Sequence, residues 1–349
     1  MRGRPLNLYR AQVSLLFLTH MRQLTFEPTL PYDLSLTLTP SFISSLFIHK
    51  SGTWVKVRGV LDGLVVWQED GNIFCRYFMK LDERYVKRLL GIHMPPFECR
   101  INFHDQRLND VLRGLASVYP GLRIPSSPLD FSWIFTAVVL SRRADYEKLV
   151  LRWCTSIARI TGNNPWLLLN LSRNLILSRI GSSYQILNLL DSLNSLRLIL
   201  TEELGLSSDD PDELYVASQK LSECDPWRLR QLLLRCKYVG PKVADAVILT
   251  ATGLSSFAPV DVHLVRVSRR LKVLAPDVSM MPRKELCLSF TCHSCPSRGE
   301  CIRGYLMRKL DDLFGWYQTL TYLHGHLICK SLRPYCRICP LKALCPENK

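Results

Sequence analysis

The chain has no apolar run approaching the roughly 20 residues that a membrane-spanning helix needs. Acidic residues are also scarce beside basic ones, with 30 Asp and Glu against 45 Lys and Arg in 349 residues. The first absence excludes a helical membrane span. The second leaves a net charge of +15, which favours a polyanionic partner, nucleic acid first, through counterion release and long-range attraction. Low-complexity linkers and disorder-like composition are missing as well. At 47% hydrophobic residues the chain can bury one large core or two modest ones, and two domains are expected. The 13 cysteines are not spread evenly as a disulfide framework would be. Cys287, Cys292, Cys295, Cys301, Cys329, Cys336, Cys339 and Cys345 crowd the carboxyl end, the distribution of metal sites in a reducing, intracellular compartment.

The amino end, MRGRPLNLYRAQVSLLFLTHMRQ, has basic residues before the short apolar run Val13 to Leu18. No small-residue cleavage site follows, which argues against secretion, so residues 1–25 are expected to be a leader that packs as an extra helix or is dispensable. From Tyr32 to about Phe78, LSLTLT, TWVKVRGVL, LVVWQ and IFCRYF alternate apolar and polar residues, with turn signals at Lys50-Ser51-Gly52 and Glu69-Asp70-Gly71. This predicts an antiparallel β-sheet domain over residues 26–100.

Beyond Leu81 the apolar period becomes helical, in RLNDVLRGLASVY, FSWIFTAVVLSRRADYEKLVLRWCTSIARI, SYQILNLLDSLNSLRLIL and PDELYVASQKLSE. Asp209-Asp210-Pro211 and Asp225-Pro226 mark helix starts. The expected fold class is α+β: the amino-terminal sheet, an all-α domain over 101–328 with a cysteine-rich insertion at 284–303, and a terminal cysteine loop over 329–349.

The stretch KYVGPKVADAV places a tight turn between two helical segments. Such a helix-hairpin-helix exposes backbone N–H groups at the positive end of its second helix, a phosphate site. Lys242 falls in the first turn of that helix, where the macrodipole disfavours a cation. Taken alone, Lys242 reads as a phosphate clamp, and Asp261 in FAPVDVHLVRVSRRL reads as a helix N-cap. Together, in this order and separation, YVGPKVADAV and PVDVH resemble the active-site segment of the helix-hairpin-helix DNA glycosylases, and are closest to the 8-oxoguanine DNA glycosylases.

The resemblance implies that Lys242 attacks the sugar C1′ and Asp261 supports departure of the base, while Val239, Gly240 and His263 hold backbone phosphate. The residue types suit the chemistry. A desolvated carboxylate stabilises positive charge building on the sugar, and an amine at C1′ forms a Schiff base that permits β-elimination. A lysine therefore implies a bifunctional glycosylase and AP lyase.

Toward the carboxyl end, GWYQTLTY resembles the base-reading stretch of the same enzymes. It implies that Gln318 hydrogen-bonds the extruded base and Tyr322 stacks on it, although the same spacing also suits core packing. Cys329-x6-Cys336-x2-Cys339-x5-Cys345 with Leu323-His324-Gly325 resembles the endonuclease III cluster loop. That implies a [4Fe-4S] cluster, where spacing alone would equally allow zinc. Lys330, Arg333, Arg337 and Lys342 would offset its charge and face DNA.

Several positions depart from the family. PSFISSLFIHKSGTW has no clear counterpart of the glycine-containing strand that senses the oxidised purine, and Ala246 stands where a small thiol is usual. LSRRADY, with Arg142 and Arg143, replaces the asparagine-rich helix start that fills the gap left by the flipped base, and Tyr238 replaces the first glycine of the hairpin turn. Cys287-x4-Cys292-x2-Cys295-x5-Cys301 repeats the spacing of the terminal loop's second half and suggests a second metal, zinc or iron–sulfur; a decayed duplicate is the alternative.

The expectation is a monomeric base-excision repair enzyme acting on double-stranded DNA that holds a damaged base, 8-oxoguanine first. The alternatives are a glycosylase for oxidised, mismatched or deaminated pyrimidines, a non-catalytic DNA-binding hairpin protein, and a structural metal protein.

Overall fold

The alternation between Tyr32 and Phe78 forms an antiparallel sheet in a computed structural model that describes residues 22–78, 82–206 and 209–347. Its strands are β1 (Arg22–Phe26), β2 (Phe47–Lys50), β3 (Thr53–Lys56), β4 (Val65–Glu69) and β5 (Asn72–Tyr77), in the order β1-β5-β4-β3-β2. Residues 1–21 of the expected leader lie outside the described residues, and the remainder from Arg22 onward belongs to β1, paired with β5. Both turn signals hold. Lys50 pairs with Thr53 and Glu69 with Asn72, and the residues between take left-handed backbone, Ser51 and Gly52 at φ 49° and 78° and Asp70 and Gly71 at 49° and 81°. Two-residue hairpins need that conformation to match the strand twist.

The helices are α1 (Leu34–Leu38), α2 (Glu83–Leu89), α3 (Gln106–Val118), α4 (Phe131–Leu140), α5 (Leu151–Thr161), α6 (Arg173–Arg179), α7 (Tyr184–Leu204), α8 (Pro211–Lys220), α9 (Pro226–Arg235), α10 (Pro241–Thr252), α11 (Val262–Arg270), α12 (Lys284–Ser289), α13 (Ile302–Leu310) and α14 (Phe314–Leu327). Two stretches correct the sequence reading. LSLTL, read with the strands, is α1, because the Asp33 carboxylate accepts the Leu36 N–H at 2.7 Å and starts a helical turn. Alternation over so few residues does not separate strand from helix, and the cap decides. The continuous helical run from Phe131 is split between α4 and α5. Arg143 turns left-handed at φ 53°, and Asp145 restarts the helix by accepting the Lys148 N–H at 2.9 Å. Asp210 and Asp225 cap α8 and α9 as expected.

All of α4 is buried, as a helix apolar on every side must be. It runs through a core shared by the sheet and helices α4 to α10. A second core gathers α3, α11, α13, α14 and Leu341 of the terminal loop. The segment between α10 and α11 crosses from one core to the other, and Asp261 stands at its end.

The sheet is fastened to the helices by a buried ion pair between Lys56 and Asp130 at 2.9 Å. Asp130 also accepts the Val60 N–H and the Tyr85 hydroxyl, both at 2.7 Å. Gly59 lies against this carboxylate with φ 76°, and a Cβ there would sit 1.8 Å from Asp130 Oδ1. Gly59→Ala is therefore expected to cost about 2–4 kcal/mol, backbone strain and displacement of the carboxylate together. Thermal denaturation reads this directly, and an unchanged Tm would show that Asp130 moves aside freely.

Candidate functional site

The hairpin is α9, the turn Cys236 to Gly240, and α10. Gly240 is the N-cap of α10 with no side-chain cap, and a Cβ on it would meet nothing within 4 Å. The space beside Gly240, at the helix's positive end, is thus open. Val239 is buried, so its side chain belongs to the core and only its backbone lines the turn. Tyr238 adopts left-handed backbone at φ 60°, the conformation for which glycine is usual. Its ring is 44% exposed, with the Arg142 guanidinium 5.4 Å above it. This contact joins the break after α4 to the hairpin turn. Among the described residues Arg142 Nη1 is buried without a hydrogen-bond partner, while Arg143 is exposed. Lys242 projects from the first turn of α10; it is exposed, and no hydrogen bond or ion pair engages its amine among the described residues.

Asp261 is 7% exposed and caps α11. Its Oδ1 accepts the Leu264 N–H at 2.7 Å and its Oδ2 accepts Gln318 Nε2 at 3.0 Å. Gln318, on the buried face of α14, is therefore tied to the carboxylate through its amide nitrogen, which leaves Oε1 as its free acceptor. Tyr322 follows on α14, edge-on to His263 at 5.3 Å and stacked on His326 at 5.9 Å. Burial first, then the carboxylates of Asp261, Glu147 and Asp145, push the Tyr322 phenol above its ordinary pKa. Asp145 and Glu147, just past the break that carries Arg142 and Arg143, thus lie near enough to Tyr322 to act on its phenol.

His263 Nδ1 accepts Arg266 Nη2 at 3.0 Å, which leaves the proton of a neutral imidazole on Nε2. Burial chiefly holds His263 below its ordinary pKa. Arg266 also donates to the carbonyls of Gly325 at 2.8 Å and Cys329 at 2.7 Å, clamping α11 to the end of α14. A Cβ on Gly325 would lie 2.9 Å from that of His263, so the two helices touch there. The structure therefore brings Asp261, Gln318, Tyr322 and His263 together, and separately Tyr238 and Arg142. Lys242 and Asp261 share no hydrogen bond or ion pair.

Cys329, Cys336, Cys339 and Cys345 all border one cavity of about 140 Å³, with Arg270, His324 and Lys342 also on its wall. Arg270 donates to Cys329 Sγ at 3.2 Å. His324 lies between the Tyr119 hydroxyl at 3.4 Å and Cys339 Sγ at 3.5 Å. Among the described residues no three His, Cys, Asp or Glu side chains meet at a point as they would around one bound ion. The terminal loop packs on α3 at Gly114, where a Cβ would lie 2.7 Å from Leu341 Cδ2. Arg333 and Arg337 of the loop are exposed, whereas Lys330 is partly covered and its amine lies 4.8 Å over the Tyr335 ring.

Sequence reasoning misses the groups beneath the site. Asp245, on the buried face of α10, pairs with Arg230 Nε at 2.7 Å and Arg303 Nε at 2.7 Å. Burial alone would raise its pKa, but the two guanidiniums outweigh burial and hold it below the ordinary carboxylate range. A charged residue within an otherwise apolar helix is the one available signal, and it does not name its partners.

No family model matches the chain. Endonuclease III of Rickettsia prowazekii is 29% identical over 119 residues, 32% of this chain and 44% of that protein. Endonuclease III of Bacillus subtilis is 30% identical over 124 residues, 35% of this chain and 47% of that protein. The chain thus spans about half the length of the curated relatives it matches. Among solved structures, the Clostridium acetobutylicum 8-oxoguanine glycosylase/lyase in complex with double-stranded DNA superposes with a TM-score of 0.60 at 13% identity, covering 84% of this chain and 92% of that one. The Archaeoglobus fulgidus 3-methyladenine DNA glycosylase gives a TM-score of 0.54 at 13% identity, covering 87% and 98%. These likenesses show a shared fold.

Proposed function

We infer that this chain is a helix-hairpin-helix DNA glycosylase, a bifunctional glycosylase and AP lyase of base excision repair. The observation that carries the reading is Asp261. It is a buried carboxylate held by a helix N-H and by Gln318, next to an aromatic platform, in a chain whose hairpin presents an exposed, uncommitted lysine. In this reading the bond from C1′ to the base nitrogen breaks, and the base leaves with the electron pair. Asp261 stabilises the positive charge on the sugar, and the Lys242 amine bonds to C1′. Opening of the sugar ring gives a Schiff base, and loss of a C2′ proton then expels the 3′ phosphate. Lys242 is open to solvent, so exclusion of water around its amine falls to the bound DNA.

Gln318 reads the extruded base through Oε1, and Tyr322 stacks on it. The α10 N-terminus at Gly240 and the Nε2–H of His263 hold phosphates, with Arg142 and Arg143 at the gap left by the flipped nucleotide. The substrate proposed first is 8-oxoguanine. In its favour are the amino-terminal sheet and the likeness to a glycosylase/lyase for that lesion. The similarity to endonuclease III and the cysteine loop favour an oxidised or deaminated pyrimidine as a second reading.

The residues of the terminal loop fit a four-iron cluster. Four thiols border a cavity of about 140 Å³, roughly tenfold what a single small occupant needs, and Arg270 directs a donor at one of them. Such a cluster would hold the loop rigid against α3 and α14. The experiment that tests the function is borohydride trapping on duplexes that each carry one lesion. A covalent adduct with 8-oxoguanine duplexes is expected. An adduct with oxidised pyrimidines alone moves the assignment to the second reading, and no adduct with any lesion would falsify the lyase.

A further inference from the structure

Cys287, Cys292, Cys295 and Cys301 fall in one segment that runs from α12 to the start of α13, and all four border a single cavity of about 20 Å³. Their segment is held firmly. Met280 and Cys301 form a bridge through Met280 N to Glu300 O and Ile302 N to Met280 O, both at 3.0 Å. Gly304 lets the chain pass so closely that a Cβ would lie 3.0 Å from Arg298 O. Cys301 stands at the N-cap of α13, where the helix dipole favours negative charge.

Two buried guanidiniums point into the set. Arg303 Nη1 donates to Cys292 Sγ at 2.6 Å and Arg230 Nη2 to Cys287 Sγ at 3.4 Å. Neutral thiols are weak acceptors, so paired cationic donors suit thiolates. The charges agree. Arg230 and Arg303 are 1% and 0% exposed and share one carboxylate, Asp245, so one buried positive charge is left without a counter-charge. Arg283 and Arg298 on the cavity wall add to it.

We propose that Cys287, Cys292, Cys295 and Cys301 form a second metal centre, in which four thiolates bind a single thiophilic divalent ion of the zinc class. The volume selects one ion. A space of about 20 Å³ admits one small occupant, whereas the terminal-loop cavity is several times larger. The thiols line the space without meeting at its centre, so binding draws them inward onto the ion. Four thiolates on a divalent ion carry a net charge of −2, which compensates the excess on the arginines. The centre sits behind α10, joined to it through Arg230, Arg303 and Asp245, and fixes the cysteine-rich segment to the hairpin. This proposal does not depend on the glycosylase reading.

The test is metal analysis of the purified full-length protein, wild type, Cys295→Ser and Cys336→Ser. Wild type is expected to hold about one zinc per chain besides about four irons. Cys295→Ser should lose the zinc and keep the iron absorption, and Cys336→Ser the reverse. Unchanged metal content in Cys295→Ser overturns the site, and roughly twice the iron, halved in Cys295→Ser, overturns the single ion in favour of a second cluster. Should Cys295→Ser not fold, wild-type protein grown with cobalt answers the same question. Thiolate-to-cobalt charge-transfer bands are expected, and octahedral, thiolate-free cobalt spectra overturn the proposal.

Discussion

Lys242→Gln is expected to give no borohydride-trapped adduct and no strand cleavage, with lesion excision lowered on the order of a thousandfold or more. The variant separates chemistry from folding unusually well. Lys242 is exposed, and its amine makes no hydrogen bond or ion pair among the described residues. Its removal should leave stability within about 0.5 kcal/mol and the Tm in place. Any residual excision would leave the strand intact, since water can replace the amine as nucleophile but forms no Schiff base. Asp261→Asn tests the other half of the pair. Asparagine keeps an oxygen for the Leu264 N–H, so the cap on α11 survives, but the charge is lost. A fall in excision of about 10²–10³-fold is expected with the fold retained. Single-turnover kinetics on a trapped-lesion duplex measures both variants. An adduct undiminished in Lys242→Gln would remove the lysine from the mechanism whatever the excision rate.

Much of this molecule is legible locally, and the reasons can be given residue by residue. Ser51-Gly52 and Asp70-Gly71 announce hairpins because few other pairs tolerate two left-handed residues. Asp210 and Asp225 before proline announce helix starts because carboxylate and ring both suit a first turn. LSLTL is misread because Asp33 sets its conformation and its own alternation does not. The split between α4 and α5 is hidden because Arg143 takes a backbone conformation that its residue type does not advertise.

In the candidate site, the residue types at Lys242, Asp261, Gln318 and Tyr322 point to the chemistry proposed for them. The bond between Gln318 and Asp261 does not show in sequence, because it joins positions 57 apart on two helices. Tyr238 is the clearest case of compensation. A left-handed tyrosine is disfavoured, yet its exposed ring carries Arg142, and the turn keeps its shape without the usual glycine.

Asp245→Asn is expected to lower stability by about 3–5 kcal/mol, because the substitution keeps the shape of the side chain and leaves two buried guanidiniums without their anion. Arg230 and Arg303 approach the carboxylate through four contacts of 2.7, 3.3, 2.7 and 3.0 Å. At this chain length the loss corresponds to a Tm lower on the order of 10 °C. The pH dependence follows from the direction of the shift. Asp245 is held below the ordinary carboxylate range, so its contribution is complete above the unfolded value of about 3.9. It is lost only as pH falls through the lower folded value. The gap between wild type and Asp245→Asn should therefore be the same at pH 7 and pH 5 and close only in stronger acid. The thiols of Cys287 and Cys292 share the same two guanidiniums, which couples this prediction to the second metal centre. A loaded tetrathiolate supplies part of the missing negative charge, so the variant should fall further below wild type in metal-stripped protein than in metal-loaded protein. Equal gaps in the two preparations would mean that the arginines answer to Asp245 alone.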